Sequence, residues 1–357
     1  MLAKASLGVH VATVLLESKR QKDGRLIIVT HELSINWGGL VPERGIQVVT
    51  GGAGFIGSHI CQLLLKRGDR VRVLDNFSSG KRANIEPFKR HFPAQLEVIE
   101  GDIRDSGALR GVMDEATTVF HQAAMVSVQK SVEDPLEANS VNLDGTLKVF
   151  QAAREAGVRK VVFASSTAVY GNSEELPKRE SMTAAPLSPY AAAKYAGEIY
   201  AKIFSALYGL PVVCLRYFNV FGPRQDPTSE YAAVIPKFIS RMLRGQRPVI
   251  YGDGNQTRDF VFVEDVARAN LLAGDPGAGG AVLNIAAGQR YSLNNLVVIL
   301  DELLGLDFQP VYKPARLGEV RDSQADISLA NRTIGYAPVV TLREGLKLTA
   351  HWFKANG

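Results

Sequence analysis

The 357-residue chain is 46% hydrophobic and 22% charged, which suits one or two packed cores and excludes a disordered polymer. Its formal charge of +5 is spread without basic runs, which argues against nucleic acid or an anionic membrane as partner, and no apolar run approaches the roughly 18–20 residues of a membrane span. The two cysteines, Cys61 and Cys214, fall in apolar surroundings and read as buried thiols of a reducing, cytoplasmic compartment; no zinc-type spacing exists and no metal is expected.

Residues 1–45 precede the first strand of the main domain and carry six basic and four acidic residues. Gly8–Leu16 is apolar after one lysine, but no small-residue cleavage site comes after it and Glu17, Lys19 and Arg20 interrupt it. The segment therefore reads as an accessory extension rather than a targeting signal, with strand composition at Leu26–Thr30.

The run Val48–Ser58 (Val-Val-Thr-Gly-Gly-Ala-Gly-Phe-Ile-Gly-Ser) joins a short apolar strand to a glycine-studded turn that opens into a helix. Gly51 permits the sharp turn, Gly54 lets backbone approach a pyrophosphate, and Gly57 lets the helix lie close to the sheet. The first N–H groups of the helix, at Phe55 and Ile56, are unpaired donors for phosphate. Apolar Ile56, Ile60, Leu63 and Leu64 predict a helix over Phe55–Arg67, followed by a strand at Arg70–Leu74. Asp75 at its end suits the ribose hydroxyls of NAD and repels a 2′-phosphate, although Lys81 and Arg82 lie close by.

A polar loop over Asn76–Ala83 and a strand at Leu96–Ile99 come next, then Gly101–Asp105 and a short helix from Ser106 that Asp105 caps. Asp102, at a strand end, can accept from an adenine amino group. The strand Thr118–His121 leads into Gln122-Ala123-Ala124, small residues where a nucleotide needs close approach. One long helix is predicted over Pro135–Ala156, carrying Asn142, and a strand at Lys160–Ala164 delivers Ser165 and Ser166 at its carboxyl end. This alternation predicts an α/β fold, a Rossmann-type doubly wound parallel sheet.

Pro189 opens a helix to about Leu207 that places Tyr190 and Lys194 on one face at i, i+4. Alone, such a pair is an ordinary solvated face. After a nucleotide turn and a serine at a strand end it reads as a general base: a nearby ammonium favours the phenolate, and a positive nicotinamide favours it further.

On the motifs Thr50–Ser58, Gly101–Asp105, His121–Ala124, Ser165–Gly171, Tyr190–Lys194, Arg216–Gly222, Gly252–Phe260 and Arg316–Asp326, residues 46–355 resemble the extended short-chain dehydrogenase/reductases, and within them the NAD-dependent nucleotide-sugar epimerases. The resemblance implies Ser166, Tyr190 and Lys194 as catalytic residues. It implies NAD contacts from Asn76, Ile103, Asn142, Ser165 and Tyr217 besides those above. It implies a smaller C-terminal α/β lobe, mainly 219–357, that holds a UDP-sugar through Ser127, Ser166, Asn219, Val234, Tyr251, Arg258, Arg316, Glu319 and Ser323, with the NAD domain over 46–218 joined by later returning segments. Glu319 stands where the family has Asp. Ser323 matches the position beside the sugar's C2 substituent, and its small size admits an N-acetyl group without demanding one.

The expected reaction is reversible C4 epimerisation of a UDP-hexose, UDP-GlcNAc/UDP-GalNAc and also UDP-Glc/UDP-Gal, by a homodimer paired through the helices Pro135–Ala156 and Pro189–Leu207. A 4,6-dehydratase is disfavoured because Ala168-Val169 replace that enzyme's Asp-Glu pair. A UDP-glucuronate epimerase or decarboxylase, and a non-catalytic NAD sensor on the same fold, are the alternatives.

Overall fold

The computed structural model describes residues 16–20, 26–30, 45–227, 233–275, 279–315 and 320–356. The chain divides into two compact units, residues 1–43 and 44–357. In the first, β1 (Leu16–Arg20) pairs antiparallel with β2 (Leu26–Thr30). The expected strand at 26–30 is present, and the charged stretch read as an interruption is its partner.

The second unit opens with β3 (Ile46–Thr50), every residue of which is buried, as a parallel strand covered by helices on both faces must be. There follow α1 (Phe55–Lys66), β4 (Val71–Asp75), α2 (Arg82–His91), β5 (Leu96–Glu100), α3 (Ser106–Met113) and β6 (Ala116–His121). The predicted loop at 76–83 is cut short by α2, a polar helix with Pro87 inside it. Asp105 caps α3 as expected, accepting from the Gly107 and Ala108 N–H groups.

The single helix predicted over 135–156 is broken up. After α4 (Val128–Glu133) come α5 (Pro135–Asn139), a π-helical turn Ser140–Gly145, and α6 (Thr146–Glu155). The wider turn meets other parts of the chain on both sides. Asn142 is turned inward to clamp the Met125 backbone, accepting from its N–H at 2.8 Å and donating to its carbonyl at 3.0 Å. Gly145 lies on Ile103, where a Cβ would come within 2.7 Å of the isoleucine Cδ1.

Next come β7 (Lys160–Ser166), α7 (Pro189–Leu207) and β8 (Val212–Tyr217). The remainder comprises β9 (Asn219–Phe221), α8 (Val234–Leu243), β10 (Val249–Tyr251), β11 (Thr257–Arg258), β12 (Phe260–Phe262), α9 (Val263–Gly274), β13 (Val282–Ile285), β14 (Tyr291–Ser292), α10 (Leu293–Leu304), β15 (Val311–Lys313), α11 (Ser328–Ile334) and α12 (Leu342–Asn356).

Seven strands form one parallel sheet in the order β13-β8-β7-β6-β3-β4-β5. The chain reverses direction of travel between β3 and β6, so the crevice at their carboxyl ends is where a ligand of a doubly wound sheet sits. One core packs α1 and α9 on one face through Ile60, Leu64, Val266 and Ala269. The other packs α3, α6 and α7 through Leu109, Phe150 and Phe204. Each such aliphatic or aromatic side chain contributes about 1.5–3 kcal/mol by leaving water. A third core gathers Phe221, Phe260, Phe262, Phe238, Leu296 and Leu346 from β9, β12, α8, α10 and α12.

Candidate active site

The glycine turn after β3 is built by backbone. Gly51 has φ +68°, and a Cβ there would meet the Ala123 N–H at 2.7 Å. At Gly57 a Cβ would lie 2.1 Å from the Gly51 carbonyl. Gly54 stands at the N-terminus of α1 in extended conformation with no side-chain cap, so the first-turn donors at Phe55 and Ile56 take no capping side chain. This is a cradle shaped for a pyrophosphate, and the residues fit a dinucleotide.

Asp75 lies under that turn. Its carboxylate accepts from the Ala53 N–H at 2.8 Å and the Phe77 N–H at 2.8 Å, and burial raises its pKa against those two bonds. Each oxygen retains a second lone pair for a ribose hydroxyl. The neighbouring cations are engaged elsewhere: Lys81 pairs with Asp226 at 2.9 Å and Arg82 with Glu100 at 2.6 Å. Asp102 is bound by Arg104 and accepts from the Asn76 carboxamide at 3.0 Å; the Arg104 hydrogen bonds hold its carboxyl down at about 2.

After β6, the Gln122 carboxamide donates to the Tyr217 hydroxyl and to Asn270, each at 3.1 Å, while Ala123 N–H donates to Thr50. His121 behind them is buried between the Thr50 and Thr146 hydroxyls, and burial lowers it to about 3. Ala124 follows at the half-buried rim. Several residues expected at the cofactor thus spend their side chains on protein partners: Asn142 on Met125, Ser165 on Glu198 at 2.5 Å, and Tyr217 on Gln122 and Asn270.

The three candidate catalytic residues converge at the carboxyl ends of β7 and β8. Ser188 caps α7 by accepting from the Ala191 N–H, and Pro189 begins it, which fixes the start of the helix that carries the pair. The Tyr190 N–H donates to Ser131 at 3.2 Å. Burial raises the Tyr190 phenol above its usual value and a hydrogen bond with Ser166 opposes the rise. The Ser166 hydroxyl also accepts from the Ala168 N–H at 3.1 Å.

Lys194 is buried, donates to the Ala164 carbonyl at 2.8 Å and stands 5.9 Å from the Tyr190 ring centre; burial lowers it to about 8. The expected pull of the ammonium on the phenol is therefore not what governs Tyr190 in this arrangement. Burial governs it. Ala168 and Val169 occupy the short 3-10 turn after Ser166, so no carboxylate stands there.

In the later part, Ser323 is buried and donates to the Asn219 carboxamide oxygen at 3.2 Å. Arg258 donates to the Thr257 and Arg321 carbonyls. Val234 opens α8 and Tyr251 ends β10, both half-buried, and Ser127 caps α4 by accepting from the Lys130 N–H. Arg316 and Glu319 lie outside the described residues.

Two functional groups escaped the sequence. Asp259 is fully buried and accepts from the N–H groups of Ala287, Gly288 and Ala325, which fixes two loops beside Ser323; burial raises it to about 6. Glu198 forms a bidentate buried pair with Arg216, at 2.8 and 2.6 Å. Among the described residues no cluster of His, Cys, Asp and Glu could hold a metal, and no helix is long and apolar enough to cross a membrane.

The profile of the NAD dependent epimerase/dehydratase family matches residues 47–286. A UDP-glucose 4-epimerase of Mycolicibacterium smegmatis is 41% identical over 310 residues, covering 86% of this chain and 98% of that protein. A solved structure of the UDP-N-acetylglucosamine 4-epimerase from Methanobrevibacter ruminantium in complex with UDP-N-acetylmuramic acid superposes with TM-score 0.84 at 43% identity, covering 88% of this chain and all of that one. The UDP-glucose 4-epimerase of Thermotoga maritima with UDP-glucose superposes with TM-score 0.82 at 41% identity, covering 87% and 99%.

Proposed function

Because this chain belongs to the NAD dependent epimerase/dehydratase family and uses NAD, we propose that it inverts C4 of a UDP-hexose, with UDP-GlcNAc/UDP-GalNAc as its pair and UDP-glucose/UDP-galactose as further substrates. The observation that carries this is the meeting of Ser166, Tyr190 and Lys194 at the strand ends beside the glycine cradle, with no carboxylate at 168 or 169.

The cradle at Gly51–Gly57 and Asp75 would hold NAD, which supplies a hydride acceptor that becomes the donor on the return step. Tyr190 takes the proton of the C4 hydroxyl, and Ser166 hydrogen-bonds the same oxygen. Lys194 keeps positive charge beside the phenol below pH about 8. After the sugar turns in its pocket, Tyr190 returns the proton to the 4-keto oxygen while the other face is reduced. The sugar undergoes no net redox change. Tight anchoring of the diphosphate with loose contact to the hexose would let the 4-keto sugar present either face without leaving the site.

Small, buried Ser323 supports the N-acetylated pair. The deciding experiment incubates purified protein without added cofactor, separately with UDP-GlcNAc, UDP-glucose and UDP-glucuronate, and resolves the products by chromatography. Conversion of UDP-GlcNAc to UDP-GalNAc and of UDP-glucose to UDP-galactose is expected; conversion of UDP-glucuronate alone would replace this reading. Ser323→Tyr is expected to suppress UDP-GlcNAc turnover while sparing UDP-glucose, and equal loss on both would refute the gate.

Pairing of two chains through α5, α6 and α7 is also proposed. Leu136 is 82% exposed and Leu207 73%, with Ile199 and Tyr200 exposed on the same helix as Leu207. A sedimentation-equilibrium mass of one chain would refute it.

A further inference from the structure

The candidate catalytic residues sit on two separate elements, Ser166 at the end of β7 and Tyr190 with Lys194 on α7. Their mutual geometry therefore depends on what locks the helix to the strand. Apolar burial is non-directional, whereas a hydrogen-bonded ion pair has preferred distances and angles and so specifies a register.

Such a lock lies directly beneath the site. Glu198, one turn beyond Lys194 on α7, accepts from Ser165, the residue before Ser166, at 2.5 Å. The same carboxylate takes two guanidinium bonds from Arg216, whose backbone pairs with Ser165 across β7 and β8. The two charged side chains are only 2% and 4% exposed. An isolated ion pair this deep is a costly way to gain stability, so its geometry calls for another account.

The lock continues outward. The Arg216 guanidinium lies 4.7 Å from the centre of the Tyr170 ring, and the Tyr170 hydroxyl donates to Asn284 at 2.7 Å. The Asn284 carboxamide in turn donates to the carbonyls of Lys178 and Asp326. Lys178 bridges to Ala325, two residues from Ser323. One buried polar chain thus runs from the catalytic helix to the segment beside the sugar pocket.

We propose that Glu198 and Arg216 are positioning residues for the reaction, registering Ser166 against Tyr190 and Lys194 and tying both to the segment that bears Ser323. Neither touches substrate. The proposal rests on the epimerase reading above.

The test compares wild-type protein, Glu198→Gln, Ser165→Ala and the paired variant Glu198→Leu/Arg216→Met for thermal midpoint, kcat and KM on whichever UDP-hexose the wild type converts. Removing one partner strands a buried charge, so Glu198→Gln loses stability and activity together. The apolar pair regains the wild-type midpoint, but its kcat stays down on the order of 10²-fold with KM within about threefold, because the charge cost is gone and the registration is not restored. Ser165→Ala leaves Glu198 bonded to Arg216, so its midpoint falls less than that of Glu198→Gln, its KM is unchanged and its kcat drops about tenfold; it decides the matter if the paired variant does not fold.

Wild-type kcat in the paired variant, or in Ser165→Ala, would overturn the proposal, as would a loss confined to KM. Wild-type protein inert on every UDP-hexose would overturn the epimerase reading and the proposal with it, a result distinct from active wild type with active variants.

Discussion

The glycine cradle and the catalytic wall solve the same problem, holding groups at fixed distances, by opposite means. At Gly51–Gly57 side chains are absent, and main chain meets main chain so closely that a Cβ at Gly57 would stand 2.1 Å from a carbonyl oxygen. At Ser166, Tyr190 and Lys194 every contact that sets position has a side chain on one side: the buried Glu198–Arg216 pair, the Ser131 hydroxyl that accepts from the Tyr190 N–H, and the Lys194 ammonium that donates to the Ala164 carbonyl. The cradle tolerates no added atom. The wall depends on no atom being lost, since removing one of its buried polar groups leaves that group's partner unpaired.

That contrast can be broken from either side. The largest effect belongs to the wall: Tyr190→Phe is expected to lower kcat on the order of 10³–10⁴-fold while leaving bound NAD in place, as read by steady-state kinetics and the cofactor content of the purified protein. Near-normal turnover would remove Tyr190 as base. In the cradle, Gly57→Ala must push α1 off the turn, so a loss of about 3 kcal/mol in denaturant unfolding, with loss of NAD, is expected. An alanine variant of wild-type stability would show that the turn yields.

Acid sharpens the comparison, since a buried histidine backs each region. His121 lies behind the wall and His59, accepting from Arg224, lies on α1; burial lowers both from 6.5 to about 3. Folding holds them neutral while the unfolded chain binds protons below pH 6.5, so stability present above that value is lost as pH falls toward 3. Each contributes a loss of about 2 kcal/mol between pH 7 and pH 5, and His121→Gln should flatten part of that slope in paired denaturant titrations. An unchanged slope would locate the protons elsewhere. The smallest effect lies outside both regions: Asp105→Ala removes the α3 cap and should lower stability by about 1 kcal/mol, with kcat unaltered.

The two regions also differ in how far a sequence exposes them. The cradle is local: three glycines, a helix and Asp75 within 25 residues, so spacing alone carries the chemistry. The span of α7 is legible to the residue because Ser188 and Pro189 mark its start. The π-helical turn is not legible, since Asn142 and Gly145 widen the helix only because Met125 and Ile103 come to meet them from other elements. The same holds for Glu198 and Asp259. Their partners lie 18 to 66 residues away, and no periodicity records such distances. Tyr217 and Ser165 sit in motifs that promise a ligand, yet their hydroxyls face inward to Asn270 and Glu198.

The two cysteines divide between these regions. Cys61 lies under the glycine turn, its thiol 3.9 Å from the Gly52 carbonyl, and Cys214 lies in β8 close enough to feel the charges of Lys194, Glu198 and Arg216. Burial raises both thiols well above their ordinary range, so neither offers thiolate to an alkylating reagent while the surrounding structure is closed. Their labelling rates are therefore clocks. Each counts the openings of its own neighbourhood, and single-cysteine variants would time the breathing of the cofactor turn and of the catalytic strand separately, with no foreign probe attached.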